Sequence, residues 1–147
     1  MFRMLRAFSL PLALAATLAT AATALAAAFE FNIYSPGVIA SPTQVYVGTS
    51  ITCDPNVSQA SLSLKVVQPS GTGVGSSPPI TCDGTTHYYA IPVTATSGTF
   101  QRGPAQVSDA GSYRTCQSTP TGRQCVGNEW LYEPYGTIQL AGRHANP

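Results

Sequence analysis

Hydrophobic and polar residues alternate along most of this chain with a period of two. In SLSLKVVQ, Leu62, Leu64 and Val66 alternate with Ser61, Ser63 and Lys65, the pattern of a strand with one face on a core and one in water. FEFNIY sets Phe29, Phe31 and Ile33 against Glu30, Asn32 and Tyr34, and HYYAIPVTA sets Tyr89, Ile91 and Val93 on one side. GVIASPTQVYVGTSITC reads as short β-branched runs broken at Pro42 and Gly48. AQVSDAGSYRTC alternates through Ala105 and Val107, and QCVGNEWLY and GTIQLAG close the chain. QPSGTGVGSSPP, nearly all turn formers, reads as punctuation. Pro92 predicts an edge or a bulge, since it has no N–H for a ladder. Beyond residue 28 no window shows the three- and four-residue spacing of a helix.

Seven or eight short strands separated by turn signals predict an all-β domain, an immunoglobulin-like β-sandwich with Greek-key connections, with a closed barrel as the competing architecture. FEFNIY is expected to be its first strand; the alternative is an arm that adds to another sheet.

The first residues set the compartment. Arg3 and Arg6 precede an uncharged Ala- and Leu-rich run from Ala7 to Ala28, which ends in two overlapping A-x-A sequences. This is the grammar of a secretory signal peptide over residues 1–28, leaving residues 29–147 as a single domain. A retained membrane anchor is the alternative; the many Ala and Thr residues weaken it, so no membrane span is expected after cleavage. The protein is expected to be secreted or extracellular, with the periplasm or the cell surface as alternative destinations.

Without the leader, five basic residues (Lys65, Arg102, Arg114, Arg123 and Arg143) face six acidic ones, a balance of −1. No basic patch offers itself to phosphates, so nucleic acid is not an expected partner.

Export gives the cysteines their reading. Four cysteines in an oxidising space imply two disulfides and allow three pairings. The tetrapeptide ITCD occurs twice, holding Cys53 and Cys82, each time with a turn-starting Asp after a β-branched pair. The economical pairing joins Cys53 to Cys82 at two neighbouring strand ends and Cys116 to Cys125 around QSTPTGRQ. Loop-closure entropy assigns roughly 3 to 4 kcal/mol to the first bridge and a little under about 3 kcal/mol to the second. Against a true immunoglobulin domain, the gap from Cys53 to Cys82 is short and the single Trp130 comes late. Zinc is disfavoured because only Cys82 and His87 lie near each other, and C-x-x-C is absent.

ITCD, SLSLKVVQ, the Cys82-Asp83-Gly84 turn followed by His87 and an aromatic residue, and the stretch Phe100-Gln101-Arg102-Gly103-Pro104-Ala105 together carry a resemblance. Over about 60 residues the chain resembles a family of small secreted domains of bacteria with GC-rich genomes, to which no activity is assigned. The position after His87 that is usually Trp in that family holds Tyr here. The resemblance implies an immunoglobulin-like fold and export, and supplies no site. The layout of two disulfides is also similar, in architecture only, to the apoproteins that carry enediyne antibiotics.

No catalytic constellation stands out. His87 and His144 are the available general bases, no G-x-S-x-G elbow exists, and Glu129 and Glu133 on one strand face would lie about 13 Å apart, too wide for a glycosidase pair. His87 suits a structural hydrogen bonder at a strand start. Neither an enzyme activity, a cofactor nor a metal is expected.

Binding fits better. Trp130, Tyr132 and Tyr135 concentrate aromatic surface near a turn, and strict alternation puts Trp130 and Tyr132 on one face with Leu131 on the other. Whether they belong to the core or the surface stays open. Arg123 stands in the disulfide ring, which could also act as the reactive loop of a protease inhibitor. The expected role is a secreted, non-catalytic binding or cell-envelope-associated domain; a small-molecule carrier and an extracellular protease inhibitor acting through the Cys116–Cys125 loop are the alternatives. The partner would be a protein, a glycan or a small apolar ligand. A deep apolar cleft would favour the carrier, and a flat aromatic patch a glycan or macromolecule.

Overall fold

The computed structural model describes residues 28–142. The leader expected over residues 1–28 falls outside them except for Ala28, as do Arg143 and His144. Within them the chain forms eight strands and no helix: β1 (Phe29–Ile33), β2 (Gly37–Ser41), β3 (Gln44–Cys53), β4 (Val57–Gln68), β5 (Gly71–Ser76), β6 (Thr86–Gly98), β7 (Gly103–Thr119) and β8 (Gly122–Gly142).

The alternation read from the sequence becomes the two sides of these strands. Val45, Val47 and Ile51 of β3, Leu62, Leu64 and Val66 of β4, and Ile91 and Val93 of β6 have no exposed surface. Ala105 and Val107 of β7 and Ile138 and Leu140 of β8 join them in one core. Each fully buried aliphatic side chain stabilises the fold by about 1.5 to 3 kcal/mol. The intervening Ser, Thr, Lys and Gln residues face outward.

β3 is the organising strand. One edge pairs with β6 in an unbroken antiparallel ladder from Gln44↔Thr94 to Thr52↔Thr86. The other edge takes β1 against its C-terminal half and β2 against its N-terminal half. FEFNIY is therefore an intramolecular strand. β2 also pairs in parallel with the end of β8, from Gly37↔Leu140 to Ile39↔Gly142. The ladder continues through β7, β4 and β5 and returns from β5 to β6, so seven strands form a continuous circuit, with β1 attached to β3.

Contrary to the expectation from its composition, QPSGTGVGSSPP is not only punctuation, because Gly71–Ser76 forms β5. A β-carbon at Gly73 would lie 2.6 Å from the Phe100 ring, and one at Gly75 would collide with the carbonyl of Pro92. These glycines mark close backbone approach in a strand rather than a turn. Gly48 likewise does not break β3; a β-carbon there would meet the Tyr34 side chain at 3.8 Å. Pro92 sits inside β6, but Ala95 donates its N–H to the carbonyl of Thr43, just before β3, so the even-numbered backbone nitrogens, including that of Pro92, face β5. The β5 ladder has already ended there, at Val74↔Thr94.

The connection before β7 is held from inside. Gln68 is buried; its amide nitrogen donates to the carbonyls of Gln101 and Pro104 at 3.0 and 3.1 Å, and its carbonyl accepts from the N–H of Gln101 at 3.0 Å. Phe100 fills the core beside it, 4 % exposed. A buried amide satisfied on both ends fixes this corner without the cost of an unpaired polar group.

Both disulfides form in the expected pairing. Cys53 and Cys82 have Cα atoms 4.8 Å apart and Cys116 and Cys125 4.0 Å apart. The two ITCD copies differ in setting: Cys53 ends β3 and is buried, whereas Cys82 lies in the loop before β6 rather than at a strand end. Two bridges are consistent with an oxidising extracellular compartment.

Candidate functional site

β8 is one continuous strand of 21 residues, and its irregularities decide what faces where. Gly111 pairs with Trp130 and Asp109 with Glu133, so two steps on β7 span three on β8. Ala110 therefore faces both Leu131 and Tyr132, which is a β-bulge. A second extra residue, Tyr135, falls between Ser108↔Pro134 and Val107↔Gly136.

An extra residue exchanges inside for outside in the part of the strand beyond it. Trp130 and Tyr132 thus do not share a face, contrary to the strict alternation. Trp130 points inward opposite Gly111, while Tyr132 joins Leu131 and Glu129 outside. Glu129 and Glu133 are likewise separated onto opposite faces, since Glu129 pairs with Ser112 and Glu133 with Asp109.

The inward aromatic residues form a seam between β1 and β8, which do not pair with each other. Phe31 stacks on Trp130 with ring centres 6.2 Å apart, and Phe29 stacks on Tyr113 at 5.4 Å. Phe29 and Trp130 meet at 5.9 Å, and Tyr135 meets Phe31 at 6.1 Å. The Trp130 indole N–H donates to Asp109 Oδ1 at 2.7 Å, and the Tyr135 hydroxyl accepts the backbone N–H of Ile33 at 3.0 Å. Asp109 is buried, so the indole and the carboxylate satisfy each other. Trp130 is half-buried and Tyr135 is 40 % exposed, which assigns both mainly to this seam.

Outside, the same stretch borders a groove of about 530 Å³. Its floor is Ser61, Ser63, Ala110 and Ser112, the outward residues of β4 and β7. Leu131 and Tyr132 form the wall, 79 % and 46 % exposed, and Glu129 is its one charged group. Small side chains on the floor keep the groove open. Ser61 and Ser112 hydroxyls hydrogen-bond each other at 3.0 Å and still have capacity for a further partner. A smaller groove of about 400 Å³ adjoins it toward the hairpin tip past Arg114 and Gly127, sharing Ser112 and Glu129.

Arg123 stands apart from this site. It pairs with Ser118 near the tip of the β7–β8 hairpin, about 23 Å along the strand from Trp130. It lies in the ladder rather than in an irregular loop; the turn itself is Pro120–Thr121.

A second polar group surrounds the turn after Cys82. Asp83 Oδ1 accepts from the Thr85 hydroxyl at 2.7 Å and the Thr85 N–H at 2.9 Å, and both carboxylate oxygens lie 3.0 Å from His87 Nε2. The Thr85 hydroxyl, then its N–H, then His87 hold the Asp83 carboxyl down to about 2. The Thr85 hydroxyl also lies 3.2 Å from His87 Nε2, so hydroxyl, imidazole and carboxylate form one hydrogen-bonded cluster that locks the turn. His87 is the structural hydrogen bonder its position predicts. Among the described residues no three metal-ligating side chains converge.

Sequence reasoning missed Tyr34 and Tyr88, which stack at 6.3 Å on the outer side of β1 and β6, Tyr88 being 75 % exposed. The signal was present, since both occupy the outward phase of strands already recognised. It also missed the serine floor, because four small residues on two distant strands form a surface only after pairing.

No family model, curated protein or solved structure matches this chain.

Proposed function

We propose that this is an exported, non-catalytic binding domain that takes a neutral, extended glycan chain in the groove over Ser61, Ser63, Ala110 and Ser112. The groove itself carries this reading: it is open, a second groove adjoins it through Ser112 and Glu129, its floor offers hydroxyl groups, and its wall offers an aromatic ring and an aliphatic side chain. Sugars present alternating hydroxyl edges and apolar C–H faces, which such a surface complements. Glu129 disfavours an anionic chain. The carrier alternative draws less support, because the interior side chains of β3, β4 and β6 have no exposed surface and the groove is shallow rather than enclosed. The inhibitor alternative draws less too, since Arg123 is engaged in a hairpin ladder. An enzyme role is not part of the proposal.

The proposed architecture is an immunoglobulin-like sandwich with β1, β3 and β6 in one layer and β4, β7 and β8 in the other. What supports it is the set of pairings: β1 with β3, β2 between β3 and β8, β3 with β6, and β7 between β4 and β8. Residues 1–28 act as the leader in this reading.

The test is a titration of the exported domain with neutral oligosaccharides, followed by amide chemical shifts. Shifts confined to residues 61–63, 110–112 and 129–132, and abolished by Tyr132→Ala, are expected. Saturable binding that leaves those amides unmoved would overturn the site, and no binding across a broad neutral glycan panel would overturn the ligand class.

A further inference from the structure

From Gly122 to Trp130, β8 runs opposite Thr119 to Gly111 in unbroken register. Along this stretch its outer edge is paired with nothing among the described residues, because β2 reaches only Leu140–Gly142. The usual guards of a sheet edge, bulges and proline, begin only at Leu131–Tyr132 and Pro134. Nine residues of regular edge are therefore open to another strand.

The hydrogen-bonding phase of that edge rests on two observations. Cys116 donates its N–H to Asn56 O at 2.8 Å, away from β8, and the Cys116 and Cys125 Cα atoms are only 4.0 Å apart. Both mark Cys116↔Cys125 as a pair that exchanges no backbone hydrogen bonds. Cys125 thus turns its N–H and C=O outward and, by the period of two, so do Arg123, Gly127 and Glu129.

We infer that this edge is occupied by a second copy of the chain, β8 pairing antiparallel with β8 about a two-fold axis centred on Val126. That centre sets Cys125 opposite Gly127 of the second copy and Arg123 opposite Glu129 of the second copy, each pair exchanging both backbone hydrogen bonds. The hydrogen-bonding phase allows only centres that fall on a residue, and the neighbouring ones are worse. A centre at Cys125 sets Arg123 against Gly127, and one at Gly127 sets Glu129 against Cys125. Val126 alone as centre matches every outward charge with its opposite, twice by symmetry. It also brings the two Val126 side chains, each 67 % exposed, against one another. From Cys116 and Cys125 to the tip, where β4 no longer flanks β7, the two-stranded ribbon becomes part of a four-stranded sheet, which such ribbons need for stability. Arg123, Glu129 and the groove floor lie on one face of that sheet, so each copy places an arginine at the far copy's groove rim. The pairing does not depend on what the groove binds.

Sedimentation equilibrium over micromolar to millimolar concentrations, combined with residue-specific amide exchange, tests this. The expected result is a concentration-dependent dimer in which the amides of Arg123, Cys125, Gly127 and Glu129 gain protection together. Arg123→Glu and Glu129→Arg should each weaken the dimer by about tenfold or more by setting like charges opposite, and the double reversal should restore it. A monomer throughout the range overturns the proposal, including the case where only a foreign peptide adds to the edge. So does a dimer whose edge amides stay unprotected, or one in which the double reversal is as weak as the single ones.

Discussion

The two disulfides are chemically identical and structurally opposite. Cys53–Cys82 ties the buried end of β3 to the loop ahead of β6, across 29 positions and against the core. Cys116–Cys125 joins strands that are already neighbours, 9 positions apart, in a hairpin whose residues from Gln117 to Glu129 are nearly all exposed. One bridge fastens the loop ahead of β6 to the core at the end of the β3–β6 ladder; the other reinforces a ladder in a mostly exposed hairpin. A crosslink is therefore best judged by what would come apart without it.

The largest effect should follow removal of the first bridge. Cys53→Ala with Cys82→Ala is expected to cost about 3 to 4 kcal/mol from loop entropy, with a further loss from the buried sulfur, as read by urea denaturation. If this loss came out smaller than that for the second bridge, the contrast would collapse. Next is the aromatic seam at the root of the hairpin. Phe29→Ala should cost about 3 kcal/mol and redshift Trp130 emission, because Phe29 touches both Tyr113 and Trp130. A variant with unchanged melting and emission would detach the seam from stability.

Removing the second bridge with Cys116→Ser and Cys125→Ser is expected to cost less than about 2 kcal/mol globally. It should instead raise amide exchange selectively from Gln117 to Gln124, since the ribbon can open without exposing the core. The smallest effect concerns the turn beside Cys82. The Asp83 carboxyl titrates at about 2 in the fold, below its ordinary 3.8. Its stabilisation is therefore complete above about pH 4 and is lost as pH falls toward 2. Melting temperatures between pH 2 and 5 should fall more steeply for the wild type than for Asp83→Asn; parallel curves would remove the turn lock from the account.

The sequence disclosed those features that depend on neighbours along the chain. Leu62, Leu64 and Val66 show their buried phase directly, and the ITCD copies and the spacing around QSTPTGRQ yield the cysteine pairing. What it concealed depends on a partner strand. Nothing in EWLYEP announces that Ala110 will face two residues, so the reversal that separates Trp130 from Tyr132 is invisible before pairing. Gly73 and Gly75 look like turn formers until Phe100 and Pro92 press against them. The groove was hidden for the same reason: its tyrosine was marked, but its serines come from β4 and β7.

The seam between β1 and β8 has a consequence for the order in which the molecule is completed. Ile33 and Tyr135 are hydrogen-bonded across 102 positions, and Phe29 and Phe31 stay uncovered until Trp130 reaches them. A chain delivered from its N-terminus across a bilayer would keep its leading strand unfinished until almost the last residue had emerged. Closure so late leaves a copy that ends before Trp130 without the ring that covers Phe31 and without the Ile33–Tyr135 hydrogen bond.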